Sequence, residues 1–256
     1  RLDMFLDAEG RYEIGQEVLP VDALKFKDSR KYPERLKEAT PTGATPHDVA
    51  AVVARLVEQL DPQGSLPIGV AFPAIIVNEV ALSAANVSAE WINLHVGDLL
   101  EKATGRPTHV VNDADAAGFA ESQFGAAQGV RGLVIVTTLG TGIGSAFIHN
   151  GVLLPNTELG HIPLHNTKGR TAEQYAANSV RERKQLSFPR WAKRLTKFYV
   201  TLAALFTPQL FVVGGGVSKQ HQEFLPLISV GVPIVPATHL NNAGILGAAA
   251  LAPFHD

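Results

Sequence analysis

Hydrophobic residues along the chain either recur every three or four positions or form short continuous runs. The alternation of these two patterns predicts helices that alternate with strands. The clearest helical pattern follows Pro46, where apolar residues recur every three or four positions, at Val49, Val52, Val53, Leu56 and Leu60. Thr45 is predicted as the N-cap of this helix, with Asp48 in its first turn. Continuous apolar runs predict buried strands within 66–72, 107–113, 132–139 and 209–216. Such alternation is typical of an α/β fold.

Further segments complete this prediction. The stretch "AEWINLHVGDLLEKATG" predicts a helix that Gly105 closes, and small residues over 116–124 predict a tightly packed helix. "HNG" predicts a hairpin and "VPIVPA" predicts another strand. Three more segments predict helices, at 172–185, 189–206 and 241–252.

Composition narrows the class of protein. The chain has 256 residues, of which 46% are hydrophobic, and this is enough for one large core or two lobes. A net charge of −2 argues against nucleic acid and anionic membrane as partners. The lack of cysteine excludes disulfides and thiolate metal sites. No apolar run is long enough to span a bilayer and no signal peptide is evident, so we expect a cytoplasmic protein.

A glycine-rich stretch, "TTLGTGIGSAF" from Thr137 to Phe147, is the strongest local signal. An apolar strand enters glycines that are separated by single residues, and such glycines permit positive φ and let backbone N–H groups approach an anion. The pattern predicts a phosphate cradle in a β-hairpin, with a plain tight hairpin as the alternative. It is not a Walker loop, because no Gly-Lys-Ser/Thr follows.

A second glycine cluster follows another predicted strand, in "LFVVGGGVSK" from Leu210 to Lys219. Ligands of open α/β sheets gather at the carboxyl ends of strands, so the cluster predicts a nucleotide or phosphate rim. A turn crowded against a neighbouring segment is the alternative, since the spacing of a dinucleotide fingerprint is lacking.

Polar residues of "NTELGHIPLHN" form a third candidate site. Glu158 and His161 flank a glycine and can hydrogen-bond vicinal hydroxyls as acceptor and donor. Two alternatives remain, namely a metal site formed by Glu158, His161 and His165, and a solvated loop.

The stretch "VNDADAAG" places an amide and two carboxylates between a strand and a helix. Asp113, beside Asn112, is a candidate to accept a proton from a hydroxyl. Either carboxylate can instead cap the helix, and we assign the cap to Asp115 and the chemistry to Asp113. The cluster "RERK", from Arg181 to Lys184, either guides a polyanion through Arg181, Arg183 and Lys184 or is a solvated helix face.

These blocks, in this order, resemble the sugar-kinase branch of the ROK family, and within it the short polyphosphate-dependent glucokinases. The matching text includes "VNDADAAGFAESQFGAAQGV", "TLGTGIGSAF", "LLPNTELGH" and "LFVVGGGVSK". The resemblance implies a two-lobed, actin-like fold of hexokinase type with ribonuclease H-like lobes. It places a smaller lobe at 1–115 and a larger lobe at 116–240, and returns 241–256 to the smaller lobe.

The resemblance also implies roles for individual residues. Asp113 looks like the general base that takes the proton of the sugar 6-hydroxyl. The residues that resemble sugar ligands are Asn86, Asn112, Asp113, Glu158, His161 and Glu173. The residues that match the phosphate-binding loop are Thr138, Gly140, Thr141, Gly142 and Gly144. The residues that match the loop near the adenosine are Gly214, Gly215 and Gly216.

The implied reaction is phosphoryl transfer from polyphosphate or ATP to glucose, with mannose as a second sugar. Mg²⁺ would be held mainly by the donor phosphates. Many family members bind zinc through three cysteines, and the cysteine-free segment here predicts no zinc. The family also implies a homodimer. A catalytically weak sugar-binding or regulatory ROK protein is the alternative.

One departure from the family concerns residues 1–40. The family begins with a glycine-rich "DxGGT" loop that binds phosphate, and no residue of 1–40 matches it. We therefore expect an incomplete N-terminal lobe. The loss of one of two phosphate clamps removes transition-state stabilisation, so the chain as written is expected to be a weak or inactive kinase.

Overall fold

The computed structural model describes residues 2–6, 34–64, 66–84 and 87–252, and strands alternate with helices through most of this range. The α/β class predicted from the sequence is confirmed. The chain divides into two units, of which the first comprises Arg1–Asp113 with Ala248–Asp256 and the second comprises Ala114–Gly247. The expected incompleteness of the N-terminal lobe falls largely on residues 1 and 7–33, which lie outside the described residues.

The described part of the first unit contains short two-stranded sheets and the α-helices α1 and α2. Its elements are β1 (Leu2–Leu6), β2 (Glu34–Glu38), α1 (Pro46–Leu60), β3 (Ile68–Phe72), β4 (Ile76–Val77), β5 (Val80–Ala81), α2 (Val96–Thr104) and β6 (Thr108–Asn112). Strands β3 and β6 are parallel, so their carboxyl ends lie at the same edge. The pairs β1–β2 and β4–β5 are antiparallel.

Helix α1 begins where the sequence predicts it. The hydroxyl of Thr45 accepts a hydrogen bond from the backbone N–H of Asp48 at 3.3 Å, and Pro46 occupies the first helical position. The apolar stripe is buried, apart from the half-buried Val52. A cap and one apolar face are therefore sufficient to define this helix.

Helix α2 is shorter than predicted. The segment predicted as one helix forms a 3₁₀ turn at Ala89–Trp91, and α2 starts only at Val96. Asn93 has φ 65°, which no right-handed helix contains. The ring of His95 then caps α2, because its Nδ1 accepts a hydrogen bond from the backbone N–H of Asp98 at 3.1 Å. Gly105 closes the helix at φ 71°, as predicted.

A five-stranded mixed sheet forms the centre of the second unit, in the order β11-β10-β7-β8-β9. Its strands are β7 (Leu133–Leu139), β8 (Ile143–His149), β9 (Val152–Leu154), β10 (Leu210–Gly214) and β11 (Ile234–Pro236). The remaining α-helices of the described residues are α3 (Asp113–Phe124), α4 (Ala172–Ala176), α5 (Asn178–Arg183), α6 (Phe188–Phe206) and α7 (Ala243–Ala250). The predicted single helix over 172–185 is wrong, because Ala177 has ψ 154° and separates α4 from α5.

Each unit buries a tryptophan in its own core. Trp91 and Trp191 are both fully buried. The indole N–H of Trp91 donates to the carbonyl of Ala44 at 2.8 Å, and that of Trp191 donates to the carbonyl of Ala176 at 2.8 Å. Both cores thus place a large side chain without leaving its polar atom unsatisfied. Within the described part of the chain, no helix has the length and apolarity needed to cross a membrane.

Candidate functional site

Asn112 and Asp113 lie at the carboxyl end of β6 in the first unit. Parallel pairing brings Asn112 opposite Phe72, the last residue of β3. The Nδ2 group of Asn112 donates to the carbonyl of Ala74 at 2.9 Å, which fixes the amide side chain. Asp113 is the first residue of α3 and is exposed. The strand end therefore presents one oriented amide and one solvent-accessible carboxylate.

Asp115 does not cap α3, contrary to the prediction. The helix begins two residues earlier, at Asp113, and Asp115 is only 1% exposed. Its Oδ2 atom accepts a hydrogen bond from the backbone N–H of Asn156 at 2.7 Å. Asp115 thus connects α3 to the loop that precedes Glu158.

The glycine motif of 137–147 forms the predicted hairpin between β7 and β8. Thr138 pairs with Gly144, and the N–H of Gly140 donates to the carbonyl of Gly142 at 3.1 Å across the turn. Thr141, at the tip, is exposed. The hairpin therefore presents a short turn of backbone at the carboxyl end of β7.

The reason for these glycines differs from the prediction. None of Gly140, Gly142 and Gly144 has a positive φ. A Cβ on Gly144 would lie 2.5 Å from Oγ1 of Thr138, and a Cβ on Gly142 would collide with the carboxylate of Glu173. Close approach, and not left-handed backbone, therefore characterises these two positions, and at Gly142 the neighbouring group is the end of a flexible side chain.

The start of α5 supports the hairpin through a residue that the sequence analysis missed. The backbone N–H of Ser179 donates to the carbonyl of Gly140 at 3.1 Å, and its hydroxyl donates to the carbonyl of Thr141 at 2.6 Å. The sequence carries no local signal for this contact, because 38 residues separate Ser179 from Thr141.

The second glycine cluster lies beside the first. Strand β10 is parallel to β7 and pairs Gly214 with Thr138, so both glycine turns lie at one edge of the sheet. Gly215 has φ 83°, and a Cβ there would lie 2.5 Å from the carbonyl oxygen of Leu139. Here glycine is required both for backbone conformation and for packing. Sequence reasoning left a phosphate rim and a crowded turn as alternatives; the crowding is observed, and the phosphate rim stays a prediction.

A pocket of about 290 Å³ opens between the two glycine turns. Its lining residues are Gly140, Thr141, Asn178, Ser179, Glu182, Gly216, Val217 and Gln220. Among the described residues that line the pocket, backbone and neutral polar groups predominate, and Glu182 is the only ionisable residue. Such a surface can hydrogen-bond phosphoryl oxygens and a nucleoside without offering them a cation.

Two predicted sugar-binding segments meet at Ile143, the first residue of β8. Oε2 of Glu173 accepts a hydrogen bond from the N–H of Ile143 at 3.1 Å. Gly160 packs so tightly on the Ile143 carbonyl that a Cβ would collide with it.

Gly160 lies in the 3₁₀ turn Leu159–His161, in which Nδ1 of His161 lies 3.6 Å from Oε2 of Glu158. The structure therefore holds Glu158, His161 and Glu173 around the end of the glycine hairpin. In the part of the chain that the structure describes, no group of three or more His, Asp or Glu residues is arranged to hold a metal ion. Asn86 lies outside the described residues, so its predicted role stays a prediction.

A buried polar contact anchors β7 to α6. The hydroxyl of Thr137 lies 2.7 Å from the hydroxyl of Tyr199, and both side chains are fully buried. Burial raises the pKa of Tyr199, and the hydrogen bond to Thr137 opposes this only in part. The phenol is therefore neutral and fixes the strand that leads into the glycine hairpin.

The three cations of "RERK" differ in their surroundings. Arg181 is largely enclosed, because its Nε donates to Oδ1 of Asn178 at 2.8 Å and its guanidinium lies 4.6 Å from the ring centroid of Phe188. Arg183 and Lys184 are exposed. The predicted cluster is thus one structural arginine followed by two solvent-facing cations.

Comparisons with known proteins agree with this geometry. Residues 14–179 match the model of the ROK family. The polyphosphate glucokinase of Mycobacterium tuberculosis (strain CDC 1551 / Oshkosh) is 42% identical over 217 residues, which are 84% of this chain and 80% of that protein.

Two solved structures extend the comparison. The inorganic polyphosphate/ATP-glucomannokinase of Arthrobacter sp. strain KM is similar with a TM-score of 0.82 and 46% identity, over 88% of this chain and 90% of that one. A ROK family glucokinase of Streptomyces griseus, solved with glucose and AMPPNP, has a TM-score of 0.73 and 26% identity over 88% of this chain and 93% of that one. The chain therefore belongs to the ROK family.

Proposed function

We propose that the chain is a hexose kinase that transfers a phosphoryl group from polyphosphate or ATP to the 6-hydroxyl of glucose. The observation that carries this proposal is the meeting at Ile143 of the glycine hairpin, Glu173 and the turn that bears Glu158 and His161. The proposed phosphate-binding hairpin and the proposed ligands of the sugar hydroxyls therefore lie together at the start of β8. The names of the relatives, polyphosphate glucokinase and polyphosphate/ATP-glucomannokinase, favour the same reaction and add mannose as a second sugar.

Asp113 is the proposed general base. Its carboxylate is exposed at the start of α3, where it can accept the proton of the 6-hydroxyl as the phosphoryl group arrives. Asn112 holds a fixed orientation beside it through Ala74. The proposed hydroxyl ligands of the sugar are Asn86, Asn112, Asp113, Glu158, His161 and Glu173.

Backbone groups are the proposed ligands of the phosphates. Phosphoryl transfer requires alignment and charge stabilisation from the protein more than covalent chemistry. N–H groups along the Gly140, Gly142 and Gly144 hairpin, with the hydroxyls of Thr138 and Thr141, would donate hydrogen bonds to the oxygens of the transferred phosphoryl group. Gly214, Gly215 and Gly216 would border the adenosine when ATP is the donor. We place this site in a two-lobed, actin-like fold of hexokinase type.

Mg²⁺ is the proposed cofactor, and it would supply positive charge to the donor phosphates when bound. The donor pocket offers hydroxyls, amides and one carboxylate, Glu182, which is a donor set for a cation that keeps phosphate and water ligands. We propose no zinc, since the thiolates that hold it in relatives are lacking. By resemblance to the family we also propose a homodimer.

A glucose phosphorylation assay with ATP and with polyphosphate, each with Mg²⁺, tests this function. Glucose-dependent formation of hexose 6-phosphate with either donor is the expected result. Calorimetric glucose binding without turnover would favour the sugar-binding or regulatory alternative and contradict the kinase. Because residues 1–40 contain no match to the first phosphate loop, we expect turnover below that of a relative that has this loop. Equal turnover would contradict this expected impairment alone.

A further inference from the structure

Cationic side chains surround Tyr175 on helix α4. The guanidinium carbons of Arg170 and Arg194 lie 4.9 Å and 4.8 Å from the centroid of its ring. The ammonium of Lys197 lies 5.9 Å from the same centroid. Three cations from two parts of the fold, the segment before α4 and helix α6, therefore lie close to one aromatic ring.

Two further cations extend this group from the end of α5. The pKa of Lys184 is lowered by partial desolvation and then by the charges of Arg194, Arg170 and Arg183. Lys184 and Arg183 are both exposed. We define the basic cluster as Arg170, Arg183, Lys184, Arg194 and Lys197.

No carboxylate neutralises the basic cluster within the described residues. The ion pairs of this region join Arg181 to Glu182, and none of the five cations forms one. The guanidiniums are instead oriented by backbone, since Arg170 donates to the carbonyl of Thr167 at 2.8 Å and Arg194 donates to that of Tyr175 at 2.8 Å. Like charges held together without counter-charge raise the free energy of the unbound protein, and a polyanion relieves this repulsion.

The basic cluster starts at the rim of the donor pocket. Glu182 lines that pocket, and Arg183 and Lys184 follow it directly along the chain. Tyr175 lies two residues after Glu173 on α4, so the two side chains leave the helix on roughly opposite sides. The cluster therefore lies outside the sugar-binding residues and next to the place where a donor enters.

We propose that the basic cluster binds the distal phosphates of a polyphosphate chain, beyond those held in the donor pocket. The inference rests on the proposed kinase function. It assigns the basic cluster a role in the selection of polyphosphate as the phosphoryl donor. In this proposal the donor pocket alone holds a nucleoside triphosphate, and the basic cluster has no role in its binding. A long phosphate chain contacts many of the five cations at once, and each contact displaces counterions.

Binding and kinetics of an Arg183→Gln/Lys184→Gln variant test the proposal. Both side chains are exposed and form no side-chain hydrogen bond within the described residues, so the fold should not change. We expect the Kd for long-chain polyphosphate, measured by calorimetry, and its KM to rise about tenfold. The KM for ATP and for glucose should stay within about twofold.

A matched variant separates local from general electrostatics. Lys102→Gln/Arg131→Gln removes the same charge from exposed positions outside the basic cluster, and polyphosphate binding should be unchanged. The charge-preserving variant Arg183→Lys/Lys184→Arg should retain wild-type binding. Raising the salt concentration should weaken polyphosphate binding less steeply in the Gln variant than in the wild type.

Several outcomes would overturn the proposal. They are an unchanged polyphosphate Kd in the Gln variant, an equal loss in the matched control, and tighter binding of single-stranded RNA than of polyphosphate. A lack of kinase activity would contradict the proposed function. Because calorimetry measures binding without turnover, it would still test whether the basic cluster binds polyphosphate. If the wild type turns over polyphosphate and the Gln variant binds polyphosphate with an unchanged Kd, the proposed role of the basic cluster is contradicted. The proposed kinase function would then stand.

Discussion

The carboxyl end of β6 and the carboxyl ends of β7 and β10 are proposed to serve one reaction by different means. At β6 the chemistry depends on side chains, Asn112 and Asp113, which a substitution can change without altering the backbone. At β7 and β10 it depends on backbone that only glycine permits, because a Cβ on Gly144 or Gly215 would lie within 2.5 Å of neighbouring atoms. Substitutions in the first region should therefore reduce activity more than stability, and substitutions in the second region should reduce both.

The largest expected effect comes from Asp113→Asn. The amide cannot accept the proton of the sugar hydroxyl, so we expect kcat for glucose to fall roughly 10²–10⁴-fold. Because Asp113 is exposed and Asp115 is buried, the free energy of unfolding should fall less in Asp113→Asn than in Asp115→Asn. Steady-state kinetics and urea denaturation check the two parts.

Asp115→Asn is the matched control. This carboxylate is buried and accepts a hydrogen bond from Asn156, so we expect about 1–3 kcal/mol of lost stability. Activity per folded molecule should fall much less than in Asp113→Asn. A larger loss of activity in Asp115→Asn and a larger loss of stability in Asp113→Asn would show that Asp115 is the general base and Asp113 the structural carboxylate.

Gly215→Ala tests the backbone-dependent region. Left-handed φ and the approach to Leu139 should together reduce the free energy of unfolding by roughly 2–4 kcal/mol. Gly216→Ala is the neighbouring control, since no atom lies within 4 Å of the added methyl group. Thermal unfolding compares the two variants, and equal midpoints would contradict the packing argument.

Gly142→Ala is expected to have a smaller effect on stability and a specific effect on sugar binding. The new methyl displaces the Glu173 carboxylate, which is the end of a flexible side chain, so we expect a loss of about 1 kcal/mol in stability. The KM for glucose should rise about tenfold. Gly140→Ala, with open space around the methyl, should leave that KM unchanged. An equal rise in both variants would count against a role for Glu173 in binding the sugar.

Ser179→Ala should have the smallest effect. It removes the hydrogen bond to the carbonyl of Thr141 and should raise the KM for ATP about three- to fivefold. Ser187→Ala is its control, because Ser187 begins α6 without a side-chain capping bond. An unchanged KM in Ser179→Ala would show that the hairpin does not need this support.

Local patterns were enough to predict much of this architecture. The cap and apolar stripe of α1, the strand at β6 and the hairpin after β7 each follow from neighbouring residues. The glycine hairpin is local in the same sense, although close packing replaces the positive φ that was expected.

Features that depend on distant contacts were not predictable from the sequence. Asp115 fails as a helix cap because a loop 41 residues away supplies its hydrogen-bond donor. The same limit explains why the role of Ser179 could not be predicted, since its partner Thr141 lies 38 residues away. The breaks at Asn93 and Ala177 interrupt segments whose composition favours continuous helix.

Rapid-quench measurement of a single turnover with saturating donor and glucose tests the central claim most directly. The rate of phosphoryl transfer in Asp113→Asn should be at least about 10²-fold below that of the wild type, with the glucose Kd within about threefold. A decrease of less than about tenfold at full glucose occupancy would show that Asp113 is not the general base.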